Sequence, residues 1–249
     1  MHEPRILPLG DCALTVEFGR TIDSENHAYA LGFVSALEAM RDEGLPDGII
    51  EWMPCFSSVT VHFDPGQIEA ERLTGILSGL ASKGCKASAC GLCWNIPVCF
   101  DNDFAPDLDG LVNAKDLRRE DAIGMMVQSS FTVCMLGFLP GFPYLSGLPQ
   151  ALEIQRLPTP RHAVPAGSVA VTGRMCAIYP WESPGGWRLL GRTPLRLFDA
   201  ANERRPSLLA AGDEVRLHRI GREAYEDIEA QICRGVFDIS TLLSGPEDR

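Results

Sequence analysis

Residues with the right types and spacing for chemistry crowd into one stretch, 137–194. It reads GFLPGFPYLSGLP at 137–149, PRHAVPAGSVAVTG at 160–173 and YPWESPGGWRLLGRTP at 179–194. Glycine permits positive φ and close backbone approach, and proline fixes φ while removing a donor. Both in quantity, beside aromatics, predict rigid loops whose exposed amides line a concavity and cradle an anion. Gly141, Gly167, Gly185 and Gly186 would let amides face a ligand with no Cβ in the way. Arg161 and Arg192 would add bidentate recognition of a small carboxylate or phosphate. Phe142, Tyr144 and Trp187 would supply apolar walls. Phe138, Pro143, Pro165, Ser168 and Thr193 lie in the same blocks and complete the candidate binding set. A purely structural reading competes with this one. Tight barrel corners also demand glycine, the aromatics would then fill a core, and the arginines would form ion pairs.

Other chemistries leave no trace in the sequence. There is no GxxxxGK[ST] phosphate loop, no GxSxG nucleophile elbow and no His-x-x-x-His metal helix. The five histidines are scattered, so the catalytic residue stays unknown and no metal site is read. Cys85, Cys90, Cys93 and Cys99 include one C-x-x-C pair with zinc-like spacing, but no matching second pair. Small buried or loop thiols are the simpler expectation for them.

The elements that must position the site fall into two groups. In the first, residues 12–18 and 58–63 alternate as strands, 48–53 is a short apolar run, and 94–100 is a further strand. Ser24 is the expected cap of a helix through Leu31, Val34, Leu37 and Met40, with Gly44 as its stop. Ile68, Leu73, Ile76, Leu77 and Leu80 give a second helical stripe, ending near Gly84. The order βαββαβ matches a ferredoxin-like split unit. Short helical patterns follow at 107–113 and 118–127. Beyond 131 come short β-prone runs at 131–136, 168–172, 186–190, 195–198 and 213–218, separated by Gly/Pro turns, which suggest a barrel or sandwich. The stretch 221–235 patterns as an amphipathic helix through Ala224, Ile228 and Ile232. The expected fold class is α+β, with domains at 1–90 and 91–249.

Bulk composition narrows the partners. The 249 residues are 45% hydrophobic and 22% charged, ordinary globular values. A net charge of −11 argues against nucleic acid and anionic membrane as partners. No apolar run approaches the roughly 20 residues that span a bilayer. The opening MHEPRILPLGD is not patterned as a secretory signal. Nine cysteines, an odd number, read as reduced thiols of a cytoplasmic protein.

The three central blocks carry a resemblance. GFLPGFPYL (137–145), PRxxVPAGSV (160–169) and SPGGWxxxGRTP (183–194) resemble the hallmark blocks of the allophanate hydrolase subunit 1 family, which also takes in the B subunit of 5-oxoprolinase, a sporulation-kinase inhibitor and a region of urea amidolyases. GDCALTVEFG (10–19), MPCFSSVTVHFDP (53–65), IPVCF (96–100) and AGDEVRL (211–217) extend the likeness over most of the chain. The resemblance implies a small N-terminal α+β domain followed by a cyclophilin-like β-barrel. It implies a hydrolase component that works with the oxoprolinase C subunit, which is allophanate hydrolase subunit 2-like, and with the oxoprolinase A subunit. Together they would use ATP to open 5-oxoproline, a small carboxylate substrate, to glutamate. The alternatives are a partner subunit of an allophanate or urea-amidolyase-type amide hydrolase, and a non-catalytic histidine-kinase inhibitor. Five positions depart from the family pattern. Met126 and Phe131 stand where the family usually has His and Tyr, and Met175, Cys176 and Ala177 replace Gln, Thr and Gly.

Overall fold

The computed structural model describes residues 4–21, 23–83 and 91–244. The chain divides into two compact units, Met1–Cys90 and Gly91–Arg249.

The first unit is an antiparallel four-stranded sheet with two helices. Its strands are β1 (Arg5–Pro8), β2 (Ala13–Glu17), β3 (Ile49–Pro54) and β4 (Ser58–Phe63), in the spatial order β1-β2-β4-β3. Alternation along β4 buries Val59, Val61 and Phe63. They pack with Leu14 and Val16 of β2 against the apolar stripes of α1 (Ser24–Gly44) and α2 (Ala70–Ser82). The cap of α1 is Asp23, not Ser24: the Asp23 carboxylate accepts the Asn26 N–H at 2.8 Å, and Ser24 is already helical. Strand 94–100, which closes the βαββαβ order but whose sequence left it assignable to either domain, does not join this sheet. The place beside β2 goes to β1, a four-residue edge strand ending in proline, too short to show a period.

The strand at 94–100 builds the second unit instead. Here β5 (Cys93–Cys99) pairs in parallel over seven residues with β13 (Glu214–Ile220). With β6 (Ser130–Leu136), β7 (Pro143–Ser146), β9 (Ser168–Thr172), β10 (Met175–Ile178) and β12 (Arg188–Arg192) they close a seven-stranded barrel, in the order β10-β7-β6-β13-β5-β12-β9. Its interior holds Trp94, Ile96, Val98, Phe131, Val133, Leu145, Val169, Val171, Cys176, Ile178, Leu190, Val215 and Leu217. The helices α3 (Leu108–Lys115) and α4 (Arg119–Gln128) add Leu108, Leu111, Ile123 and Met126 to the same core. The apolar run 195–198 is a buried loop rather than a strand. Leu195 and Leu197 enter the core, and Phe198 makes one isolated bridge to Ser207. An amphipathic helix, α5 (Arg222–Cys233), follows β13.

One carboxylate holds the start of the barrel. Asp213, buried, accepts N–H groups from Leu92 (2.8 Å), Ala210 (2.9 Å) and the Trp94 indole (2.9 Å). Removing it orphans three donors, of which the Trp94 indole is fully buried. Asp213→Ala is therefore expected to lower unfolding free energy by about 3 kcal/mol, read as a lower urea midpoint at unchanged slope.

Of the four cysteines weighed as zinc ligands, Cys85 and Cys90 lie outside the described residues. Cys93 and Cys99 are buried at opposite ends of β5. Burial pushes the Cys176 thiol up to about 12 and raises that of Cys99. Native-state alkylation followed by mass spectrometry should mark the exposed Cys12 and Cys233 and spare Cys99 and Cys176. Rapid labelling of Cys176 would show that the barrel opens.

Candidate functional site

The three blocks meet on the outer face of the barrel. Along β9, Val169 and Val171 point inward while Ala170 points out, and β10 repeats this with Ile178 in and Ala177 out. The two alanines leave room above the wall for a second apolar layer. Phe142, Tyr179, Trp187, Leu189 and Val164 fill it, with Tyr144 and Leu139 packed alongside. Phe142 lies at its centre, 5.0 Å from Tyr179, 5.1 Å from Tyr144 and 6.3 Å from Trp187. Sequence reasoning made Phe142 and Trp187 pocket walls, but both are buried in this layer.

Most of the nominated glycines serve that packing. A Cβ on Gly185 would sit 2.2 Å from the Tyr179 hydroxyl. One on Gly167 would meet the Thr193 carbonyl at 2.1 Å, and one on Gly141 would meet the Phe198 Cβ at 2.7 Å. Gly186 alone of the four has ordinary space, its nearest neighbours being 3.7 Å away. Nor are the amides uniformly free. The Gly167 N–H donates to the Tyr179 carbonyl at 2.7 Å, and its carbonyl accepts from Thr193 at 2.9 Å. Ser168, buried, donates its hydroxyl to the Pro165 carbonyl at 2.7 Å, and the buried Thr193 hydroxyl accepts the Leu195 N–H at 3.3 Å. Pro143 opens β7, pairing with Leu136.

Phe138 behaves differently. It is 66% exposed and holds φ at +71°, a conformation that costs a bulky side chain on the order of 1–3 kcal/mol. The turn is enforced by bonds from Gly137 to Phe142 and from Phe142 to Leu139.

The two arginines occupy different surroundings. Arg161 starts β8 (Arg161–Val164), which pairs with β11 (Ser183–Gly185) as a separate two-stranded sheet. Its Nη2 donates to Asp107 Oδ1 at 2.7 Å, and Asp107 Oδ2 accepts the Leu189 N–H of β12 at 2.7 Å. Asp107 is buried, so this ion pair ties the small sheet to the barrel wall. Arg192 lies with its guanidinium 5.5 Å from the centre of the Phe104 ring and bonded to the Tyr225 hydroxyl of α5. Three buried side-chain atoms in these blocks have no hydrogen-bond partner among the described residues: Arg161 Nη1, Ser183 Oγ and Arg192 Nε.

Tyr179 completes the polar layer. Its hydroxyl accepts the Trp187 N–H; burial chiefly, and then Tyr144, raise its pKa, while Arg156 and Arg161 oppose this. It is a neutral phenol at pH 7. The barrel interior carries no comparable groups at the positions that depart from the family pattern. Met126, Phe131 and Cys176 are all buried in the apolar core, and Met175 packs against the outer layer. Sequence reasoning missed Asp107, Tyr179, Ser183 and Tyr225. Tyr179 and Ser183 at least stand in the motif blocks, whereas Asp107 lies 54 residues before its arginine and carries no local signal.

With this geometry in place, the chain can be set beside known proteins. Residues 4–209 match the carboxyltransferase domain, subdomain C and D, and the chain belongs to that family. It is 35% identical over 232 residues to the B subunit of 5-oxoprolinase from Bacillus subtilis (strain 168), spanning 89% of this chain and 95% of that protein. Among solved structures, TTHA0988 superposes with a TM-score of 0.72 at 32% identity. The match covers 84% of this chain but 40% of that one. The Kluyveromyces lactis urea carboxylase shares the fold, with a TM-score of 0.75 at 22% identity over 94% of this chain and 23% of that one.

The packing role of Gly185 is directly testable. Gly185→Ala should destabilise the chain by about 2 kcal/mol or more through overpacking. Combining it with Tyr179→Phe, which removes the nearest atom, should recover part of that loss. Additive losses in urea denaturation would separate the two positions.

Proposed function

We propose that this chain is the B subunit of an ATP-dependent 5-oxoprolinase, which opens 5-oxoproline to glutamate. The observation that carries the reading is the near full-length likeness to the B. subtilis protein of that name. We read the first unit, 1–90, as a ferredoxin-like α+β domain whose fourth sheet position is filled from the N-terminal side. We read 91–249 as a cyclophilin-like barrel. The chain works in a complex with the oxoprolinase C and A subunits, in the cytoplasm. ATP is consumed by that complex, and no residue of this chain is assigned to it.

The chemistry explains the use of ATP. A lactam carbon is a poor electrophile. Phosphorylation of its oxygen by ATP, with release of ADP, makes it a better target for water. The ring nitrogen then leaves as the C–N bond breaks, and a second water releases phosphate from the resulting acyl phosphate to give glutamate. The contribution of this chain is to hold the substrate carboxylate. Arg161 supplies the positive charge, and its orphaned Nη1 supports that role. Arg192, bonded to Tyr225, is a second candidate within the same blocks. Phe138, held exposed in a strained turn, supports a contact made by the rim of the site.

A second reading, a partner domain in a urea-carboxylating or amide-hydrolysing assembly, draws on the family and on the shared urea carboxylase fold. One assay separates the two. The chain alone is expected to release no ADP. The complex reconstituted with the A and C subunits should release ADP when given 5-oxoproline and not when given urea. Turnover by the lone chain would overturn the reading of a dependent component, and urea-dependent turnover would favour the second.

A further inference from the structure

We propose that Ser183 is a ligand-binding residue: its hydroxyl and the Nη1 of Arg161 together take one carboxylate group, in a closed site between the β8–β11 sheet and the barrel wall. The identity of the ligand, a substrate carboxylate, rests on the oxoprolinase reading above. The site itself rests on the following geometry.

Ser183 pairs with Val164 and Gly185 pairs with Arg161. Residues directly opposite in an antiparallel pair share a face, and so do positions two apart on one strand. The register shift between the two pairs absorbs the extra residue of β8. Ser183, Val164, Gly185 and Arg161 therefore face the same way. That way is inward, because Val164 belongs to the buried outer layer and the Cβ direction of Gly185 runs into the Tyr179 hydroxyl.

The inward face thus presents three hydrogen-bond donors. Arg161 offers Nη1, since Asp107 takes only its Nη2. Ser183 offers its hydroxyl. Tyr179 accepts from Trp187 and keeps its own proton to give. Asp107 is engaged by Arg161 and by the Leu189 N–H, so it fixes the guanidinium while its own charge is answered. A carboxylate has two oxygens that accept several such bonds. Both orphaned atoms are closed to solvent.

Buried polar groups without partners destabilise a fold. Two of them in one small sheet, on the same face, mark a place where stability is given up, and a ligand that engages both recovers it. A serine kept for structure behaves in the opposite way when it is replaced.

The test is Ser183→Ala. Without ligand the variant should melt at the same temperature as the parent or slightly higher, because an unsatisfied hydroxyl has been removed. In the assembled complex its KM for 5-oxoproline should rise about tenfold, the loss expected for one hydrogen bond to a charged group, with kcat moving less. The parent should prefer 5-oxoproline to its carboxamide analogue, and the variant should lose most of that preference. A lower melting temperature with KM unchanged would overturn the proposal, as would an unchanged preference between acid and amide. If the parent complex shows no 5-oxoproline-dependent turnover, the oxoprolinase reading fails on its own account. The site is then decided by thermal shift of the chain with acetate and with 5-oxoproline. Stabilisation of the parent but not of Ser183→Ala upholds it, and stabilisation of neither, or of both equally, overturns it.

Discussion

The outer layer of the second unit depends on the carboxylate of Asp107. With one oxygen it holds the Arg161 guanidinium, and with the other it holds the backbone of β12 at Leu189. Its own N–H returns a bond to the Leu189 carbonyl at 3.1 Å, so the segment before α3 runs beside the barrel as an extra, irregular edge. A buried ion pair is not by itself a source of stability, because desolvation offsets much of the attraction. What it gives here is position. A three-residue strand and a four-residue strand could not hold a register on the barrel wall by their own hydrogen bonds. Anchored at Arg161, they hold Ser183, Gly185 and Val164 against Tyr179.

The barrel has effectively two cores, one on each side of the β9–β10 wall. Every residue of β9 is buried, as expected for a strand covered on both faces. The inner core is mostly branched aliphatics, with Trp94 and Phe131 among them, and the outer one takes aromatics lying over alanines. The glycine-rich blocks follow from this division. Phenol, indole and phenyl rings stacked between a wall and a thin cover leave no room for a Cβ where the cover passes over a ring. Gly185 against Tyr179 and Gly141 against Phe198 are the clearest cases. Glycine at these positions lets the layer that carries Arg161 and Tyr179 close.

How much of this the sequence disclosed follows from element length. Where alternation or a helical stripe runs for five residues or more, as in β2, β4, β9 and the helices, its type was legible. The short strands β1, β7, β8, β10 and β11 offer too few positions to show a period, and proline interrupts several of them. The run 195–198 misled because burial of a loop looks like burial of a strand. Strand 93–99 was legible as a strand, but the sequence left it assignable to either unit, because its partner β13 is at the far end of the barrel unit. The candidate binding blocks and arginines were singled out by residue type alone. Whether a glycine faced a ligand or a ring was not legible, since the filling atom comes from a residue far off in sequence.

The parallel pair β5–β13 also bears on how the chain is made. The first unit is contiguous, and all four of its sheet positions are filled from within residues 5–63, so it can fold as soon as it has left the ribosome. The second unit has no such freedom. Its opening strand, β5, must wait unpaired on that edge until β13 is synthesised, since Cys93 finds Glu214 and Cys99 finds Ile220. During that interval Trp94, Ile96 and Val98 form an exposed, strongly apolar nascent segment. The barrel is therefore the step of biogenesis most open to chaperone capture and to misassembly, and translation pausing late in the message would lengthen that exposure.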